Sequence, residues 1–210
     1  MNITVFGATG QVGKQLVKQA LWKKHTVTAF GRNVFTTEFL KDDHLHLIQG
    51  ALFDEQDVFH SLKNTDAVLS SLGGDFSGSD KTRSLGMKNI ITQMAKSGVK
   101  RIIGIGGMGI LQSNENTLLI DTEDYPKQYI PVGKEHQKAW EFLAASNLDW
   151  TFVCPPDILD EEATGSFITR ADYPPEPDKY KITAGDLAMF MINELEKNEF
   201  VGHRVGITAV

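Results

Sequence analysis

The sequence predicts an α/β fold: a doubly wound, mostly parallel sheet with helices on both faces. Short apolar runs alternate with longer amphipathic stretches, the pattern of strands joined by helical crossovers. A glycine-rich turn joins the first run to the first stretch. No internal repeat or low-complexity tract interrupts the pattern.

Each element has its own signal. Ile3–Phe6 is a short β-type run that ends at Gly7. Gln11 to Lys24 carries Val12, Leu16, Val17, Ala20 and Leu21 at helical spacing. Thr26–Phe30 and Leu45–Ile48 read as the second and third strands, and Glu55–Lys63 as a short helix. Ala67–Leu72 is a fourth strand that stops at Gly73-Gly74. Asp80–Ser97 places Leu85, Met87, Ile90, Ile91 and Met94 on one face, with Gly98 as a C-cap. Arg101–Ile105 is the fifth strand, followed by Gly106-Gly107. Gly133–Ala145 is a helix. Asp149–Cys154 is the sixth strand and stops at Pro155-Pro156. Ala184–Lys197 is the last helix, and His203–Thr208 the terminal strand.

Gln112–Tyr129 and Leu159–Tyr180 lack a regular pattern; the second holds Pro174, Pro175 and Pro177. They read as substrate-side loops near 108–132 and 157–182, over the carboxyl edge of the sheet. The whole chain, 1–210, is expected to be one nucleotide-binding domain.

Composition narrows the function. Twenty-seven acids against 21 bases leave a net charge of −6. That excludes nucleic-acid binding driven by a basic excess. The single cysteine, Cys154, sits in an apolar strand and excludes an internal disulfide. The six histidines are scattered, and His44 with His46 are too few to claim a metal site. No apolar run is long enough for a membrane span, and the first residues do not read as a signal peptide. A cytoplasmic location is therefore expected, as a monomer or homodimer.

The chemistry lies first in Gly7-Ala8-Thr9-Gly10-Gln11-Val12-Gly13. Gly7 allows the tight turn out of the strand. Gly10 lets the backbone approach a pyrophosphate, and Gly13 lets helix and strand pack closely. The helix then points its N–H groups and positive dipole end at the anion. Strand, motif, helix and second strand together make a dinucleotide site. At the end of the second strand there is no acid to hold a ribose 2′-hydroxyl. Gly31-Arg32-Asn33 stands there, and the Arg32 guanidinium suits a 2′-phosphate, which points to NADP (NADPH). Leu72-Gly73-Gly74 is expected against the adenosine and its ribose. Gly106 and Pro155-Pro156, at two further strand ends, would border the nicotinamide. Leu52, after the third strand, is placed on the same groove.

These motifs, with Ser146-Asn147-Leu148-Asp149-Trp150-Thr151 leading to Pro155-Pro156 and the late Ile182-Thr183-Ala184-Gly185-Asp186-Leu187-Ala188, resemble the atypical short-chain dehydrogenase/reductases. The likeness runs nearly the full length and is strongest to the NmrA-like group, with its NAD(P)H-flavin reductases and the biliverdin reductase B type. The resemblance implies a Rossmann-like fold with NADP held by Gly7, Thr9, Gly10, Gln11, Val12 and Arg32. The Tyr-x-x-x-Lys pair of the wider superfamily falls on Val132 and His136, and its serine on Gly106 or Gly107. The acid often found after the third strand is replaced by Ala51.

That absence favours a particular acceptor. Reducing a ketone needs a positioned acid, worth about 10²–10⁴ in rate. A flavin spreads the incoming charge over its ring, and proximity does much of the rest. A flavin or quinone-like small molecule is therefore the expected partner, with FMN as substrate or cofactor. His136, on the apolar face with Val132, Ala139, Trp140 and Leu143, is either a core residue or faces the nicotinamide. Asp157, after the two prolines, is either a proton donor or a surface turn. The competing readings are a non-catalytic NADP-sensing regulator of the NmrA-like kind and a sugar-nucleotide epimerase.

Overall fold

The computed structural model describes residues 1–176 and 179–210; Pro177 lies outside the described residues. In chain order the elements are β1 (Asn2–Phe6), α1 (Gln11–Trp22), β2 (Thr26–Gly31), β3 (Leu45–Gln49), α2 (Glu55–Ser61), β4 (Ala67–Ser70), α3 (Thr82–Ser97), β5 (Arg101–Ile105), β6 (Gln112–Asn114), β7 (Thr117–Leu118), α4 (Ile130–Ala144), β8 (Asp149–Cys154), β9 (Asp157–Leu159), β10 (Phe167–Ala171), β11 (Lys181–Thr183), α5 (Ala184–Lys197) and β12 (His203–Ala209). Eight strands form the main sheet, in the order β10-β12-β8-β5-β4-β1-β2-β3. All neighbours pair in parallel except β10, which runs antiparallel to β12. The predicted fold class is borne out.

The strand order explains where a ligand can sit. The chain runs outward from β1 to β2 and β3, then crosses back to β4 on the other side of β1. The crossovers above β1 and β4 diverge, leaving a crevice at their carboxyl ends. Two apolar layers flank the sheet. One packs Val12, Leu16, Leu187 and Met191 of α1 and α5 against Ile3, Val5 and Leu69. The other packs Val58, Met87, Ile90, Met94 and Leu143 of α2, α3 and α4 against Phe6, Val68 and Ile102. Central strands buried on both sides read as continuous apolar runs, as β4 does.

Local chemistry sets the helix ends. The Asp54 carboxylate accepts from the Gln56 and Asp57 amides and starts α2. Gly98, at φ +80°, closes α3 in the left-handed conformation expected of it. The Thr183 hydroxyl accepts from the Asp186 amide and caps α5.

Four expectations change. β4 ends at Ser70, and the Ser71 amide makes the last ladder hydrogen bond, to the Phe6 carbonyl at 2.9 Å. Leu85 is exposed on α3 instead of joining the core face. α4 begins three residues early, at Ile130, with Pro131 in its first turn, where a missing N–H does no harm. Neither irregular segment is wholly loop. Gln112–Tyr129 holds the β6–β7 hairpin, and Leu159–Tyr180 holds β10, an edge strand of the main sheet far from the crevice. Among the described residues, no helix is long and apolar enough to cross a membrane.

Candidate functional site

At Gly7 and Gly13 the turn after β1 has room for glycine alone. Gly7 has φ +76°, and a Cβ there would lie 2.8 Å from the Ser71 carbonyl carbon. A Cβ on Gly13 would meet the Gly7 carbonyl and sit 2.7 Å from the Ala8 Cα. Gly10 is the extended N-cap of α1, and no side chain caps the first turn. Its amide donates to the Gly7 carbonyl at 3.1 Å, which fixes the loop. Val12 is buried under the turn. The Thr9 methyl comes 3.5 Å from where a Gly31 Cβ would lie, so the loop leans on the end of β2. The Gln11 side-chain amide donates to the Ile158 carbonyl at 3.3 Å, tying α1 to β9.

The remaining groove residues line the same edge. Arg32 is exposed, and its guanidinium has no ion-pair partner among the described residues. Its carbonyl accepts from the Gln49 side chain at 2.9 Å. Asn33 follows, its carbonyl accepting from the Thr36 and Thr37 hydroxyls. Leu72 is buried beneath an exposed Gly73, and a Cβ on Gly73 would meet nothing within 4 Å. Leu52 sits over α3 against Gly86, and its carbonyl accepts from Asn89 at 2.9 Å. Gly106 is buried, its amide on the Val153 carbonyl at 2.7 Å. Pro155 is buried and Pro156 half-buried; the Met108 amide donates to the Pro155 carbonyl at 3.1 Å. An uncapped helix end, a glycine cradle and an unpaired guanidinium together fit a phosphorylated dinucleotide.

The structure brings His136 to the end of β5. A Cβ on Gly107 would lie 2.8 Å from the imidazole Cδ2, so glycine is what lets the ring close over this strand end. His136 Nδ1 is buried without a partner. Burial, and then the nearby Arg83 cation, push its pKa down to about 3, so the ring is neutral at ordinary pH. Val132 is buried one turn earlier on the same face. Asp157 is elsewhere: exposed at the start of β9, with its amide on the Tyr180 carbonyl at 3.3 Å.

Three groups here escape a sequence reading. Arg83, at the start of α3, donates to the Gly74 and Asp75 carbonyls at 3.0 and 2.9 Å, and its Nε is buried and unpartnered. Glu135 is buried on α4 and accepts from Ser84 and, at 3.1 Å, from Lys81. Burial pushes its carboxyl up, but these hydrogen bonds outweigh that and hold it below the usual range. Tyr125 is half-buried, with its hydroxyl against Gly109; burial raises its pKa. Of the three, only Arg83 falls in the cluster of charge just after Gly73-Gly74. Cys154 is fully buried in β8, and burial pushes its thiol up. Among the described residues no group of three or more His, Cys, Asp or Glu could hold a metal ion.

The NAD(P)H-binding family model matches residues 7–198, from the first glycine of the turn to the end of α5. The chain belongs to the NAD(P)H-binding family. The resemblance carried by the motifs is thereby borne out. Similar proteins run the full length. A Burkholderia pseudomallei structure described as a "putative exported protein" is 30% identical, with 99% of each chain covered and a TM-score of 0.84. A Streptococcus pneumoniae structure described as a "putative NADH-flavin reductase" is 28% identical, with all of both chains covered and a TM-score of 0.84. YwnB of Bacillus subtilis is 27% identical, over 100% of this chain and 99% of its own.

Proposed function

We propose that this protein is an NADPH-dependent oxidoreductase that passes hydride to a flavin or a similarly flat, conjugated acceptor. The observation that carries the reading is His136. A neutral imidazole with an unpartnered nitrogen closes over the end of β5, where the resemblance would place the lysine of an acid–base pair. Such a ring can make a hydrogen bond but lacks the acidic proton of an imidazolium at neutral pH. That suits an acceptor that spreads charge over its own ring better than a ketone. The full-length similarity to the pneumococcal protein supports the same class.

Bound NADPH would supply the hydride from its nicotinamide ring. Gly7, Thr9, Gly10, Gln11, Val12 and Gly13 would hold the pyrophosphate, through backbone amides and the α1 dipole. Arg32, with Asn33 beside it, would hold the 2′-phosphate. Leu52, Leu72, Gly73 and Gly74 would border the adenosine half, and Gly106, Pro155 and Pro156 the nicotinamide half. His136 would orient the reacting groups with one hydrogen bond, which is a large part of catalysis when two rings need only be held face to face. Asp157, exposed at the start of β9, would be the proton donor. FMN serves as the substrate in this scheme.

The test is NADPH oxidation with and without added FMN, with NADH alongside. Flavin-dependent turnover that favours NADPH supports the proposal. Tight NADPH binding with no turnover on flavins or quinones overturns it in favour of a nucleotide sensor.

A further inference from the structure

The loop between β4 and α3 is an inverted surface turn. Its polar groups are bound inward and its tip carries an exposed aromatic ring. Asp80 accepts from the Asp75 and Thr82 amides, at 3.0 Å each. The Ser77 hydroxyl donates to the Asp75 carboxylate at 2.6 Å. Arg83 holds the Gly74 and Asp75 carbonyls. Lys81 ties the Gly78 carbonyl, at 2.8 Å, to the buried Glu135 of α4. Gly78, at φ +65°, lies so close to the Pro131 carbonyl that a Cβ would sit 2.7 Å from its oxygen. The loop is therefore fixed against the first turn of α4.

This bracing holds Phe76 outward, 66% exposed. Tyr129, at the N-cap of α4, is 39% exposed, and the two rings stand 6.4 Å apart at 54°. They lie on the two segments that flank the strand-end cleft, two residues beyond Gly74 and seven before His136. A surface loop has no need of so many internal hydrogen bonds to display one phenylalanine. Rigid aromatic faces beside a site bind flat rings with little loss of side-chain freedom.

We propose that Phe76 and Tyr129 form an aromatic wall that holds the acceptor, one ring stacked on its face and the other, inclined at 54°, against its edge, and that the acceptor is a flat conjugated ring system. This deepens the reductase reading and rests on it for the identity of the site. The braced loop supplies the preorganisation: the wall exists before the ligand arrives.

The test is equilibrium binding of FMN, followed by its fluorescence in saturating NADP+, to the wild type, Phe76→Ala, Tyr129→Ala and the double variant. Each single change should weaken FMN binding about three- to tenfold, the range for one aromatic contact. Tyr129→Phe should keep the wild-type affinity, because the ring and not the hydroxyl does the binding. Riboflavin, which lacks the phosphate, should lose the same factors as FMN. NADP+ affinity should stay unchanged in every variant, which also shows that each one folds. Unchanged FMN affinity in the double variant overturns the proposal, and so does a wild type that binds neither flavin. Aromatic-dependent flavin binding without turnover would sustain the wall and overturn the reductase reading, so the two failures are distinguishable.

Discussion

Replacing Gly13 with alanine tests whether the close approach of α1 to the glycine turn is as tight as the structure shows. The new Cβ would meet the Gly7 carbonyl and lie 2.7 Å from the Ala8 Cα and 2.8 Å from the Ala8 carbonyl carbon. Ordinary carbon contacts are about 3.5–4.0 Å. All three opposing atoms are backbone, so no side chain can swing away. Overpacking of this kind costs about 3 kcal/mol at the upper end of the usual range. Alanine returns about 1 kcal/mol through its better helix propensity. The net loss is about 2 kcal/mol, or about 4–8 °C in melting temperature for a chain of this size. The turn must also shift, and with it the amides assigned to the pyrophosphate, so NADPH affinity should fall at least about tenfold. Gly73→Ala is the control, since its Cβ would meet nothing within 4 Å. Its melting temperature should stay close to wild type. Thermal unfolding followed by circular dichroism, with calorimetric titration of NADPH, reads both effects. A Gly13→Ala protein that melts within about 1 °C of wild type and binds NADPH normally would refute the reasoning.

Other expectations follow from the same site and core. Arg32→Ser should weaken NADPH binding about 10- to 100-fold, the loss of charge-assisted hydrogen bonds, and leave NADH nearly unchanged; equal losses for both nucleotides would remove Arg32 from the 2′-phosphate. His136 has its pKa depressed from 6.5 to about 3, so between these values the unfolded chain binds a proton that the folded one does not. Its contribution is therefore lost as pH falls below 6.5, at about 1.4 kcal/mol per pH unit. Urea unfolding at pH 7, 6 and 5 should show wild type losing stability faster than His136→Phe, and parallel curves would contradict the burial of the ring. Arg101 and Glu194 form an almost fully buried ion pair at 2.8 Å. Arg101→Leu leaves the Glu194 carboxylate buried and unpaired, and should lower stability by about 3–5 kcal/mol in chemical denaturation; a change under about 1 kcal/mol would mean that water reaches the carboxylate.

Much of this molecule is legible in the sequence where the signal is local. The glycine turn, the amphipathic face of α1, the Gly98 cap and the proline stop after β8 each depend on residues within a few positions of one another. The misses have a shared physical origin. Phe167–Ala171 becomes a strand only because β12, about forty residues later, offers it an edge. Leu85 stands at a core-facing spacing, yet α3 packs with that position outward. Pro131 fits an N-terminal helix turn, but its apolar neighbours Ile130 and Val132 are too few to show a helical spacing, and no capping side chain marks where the turn begins.

By itself the sequence determined the α/β alternation, the glycine turn and the arginine, Arg32, that stands after β2 where an acid is absent. These follow from φ preferences, steric limits at glycine and the spacing of apolar side chains, all set along the chain. Only the tertiary structure decided that His136 of α4 meets Gly107 after β5, that Arg83 of α3 stands beside that imidazole, and that Phe76 and Tyr129 face outward together. Those encounters depend on the order of strands in the sheet and on the crossovers that lay α3 and α4 side by side. The environment they create, a neutral imidazole with its Nδ1 buried at the end of β5, comes from burial, and burial belongs to the packed molecule and not to any stretch of its sequence.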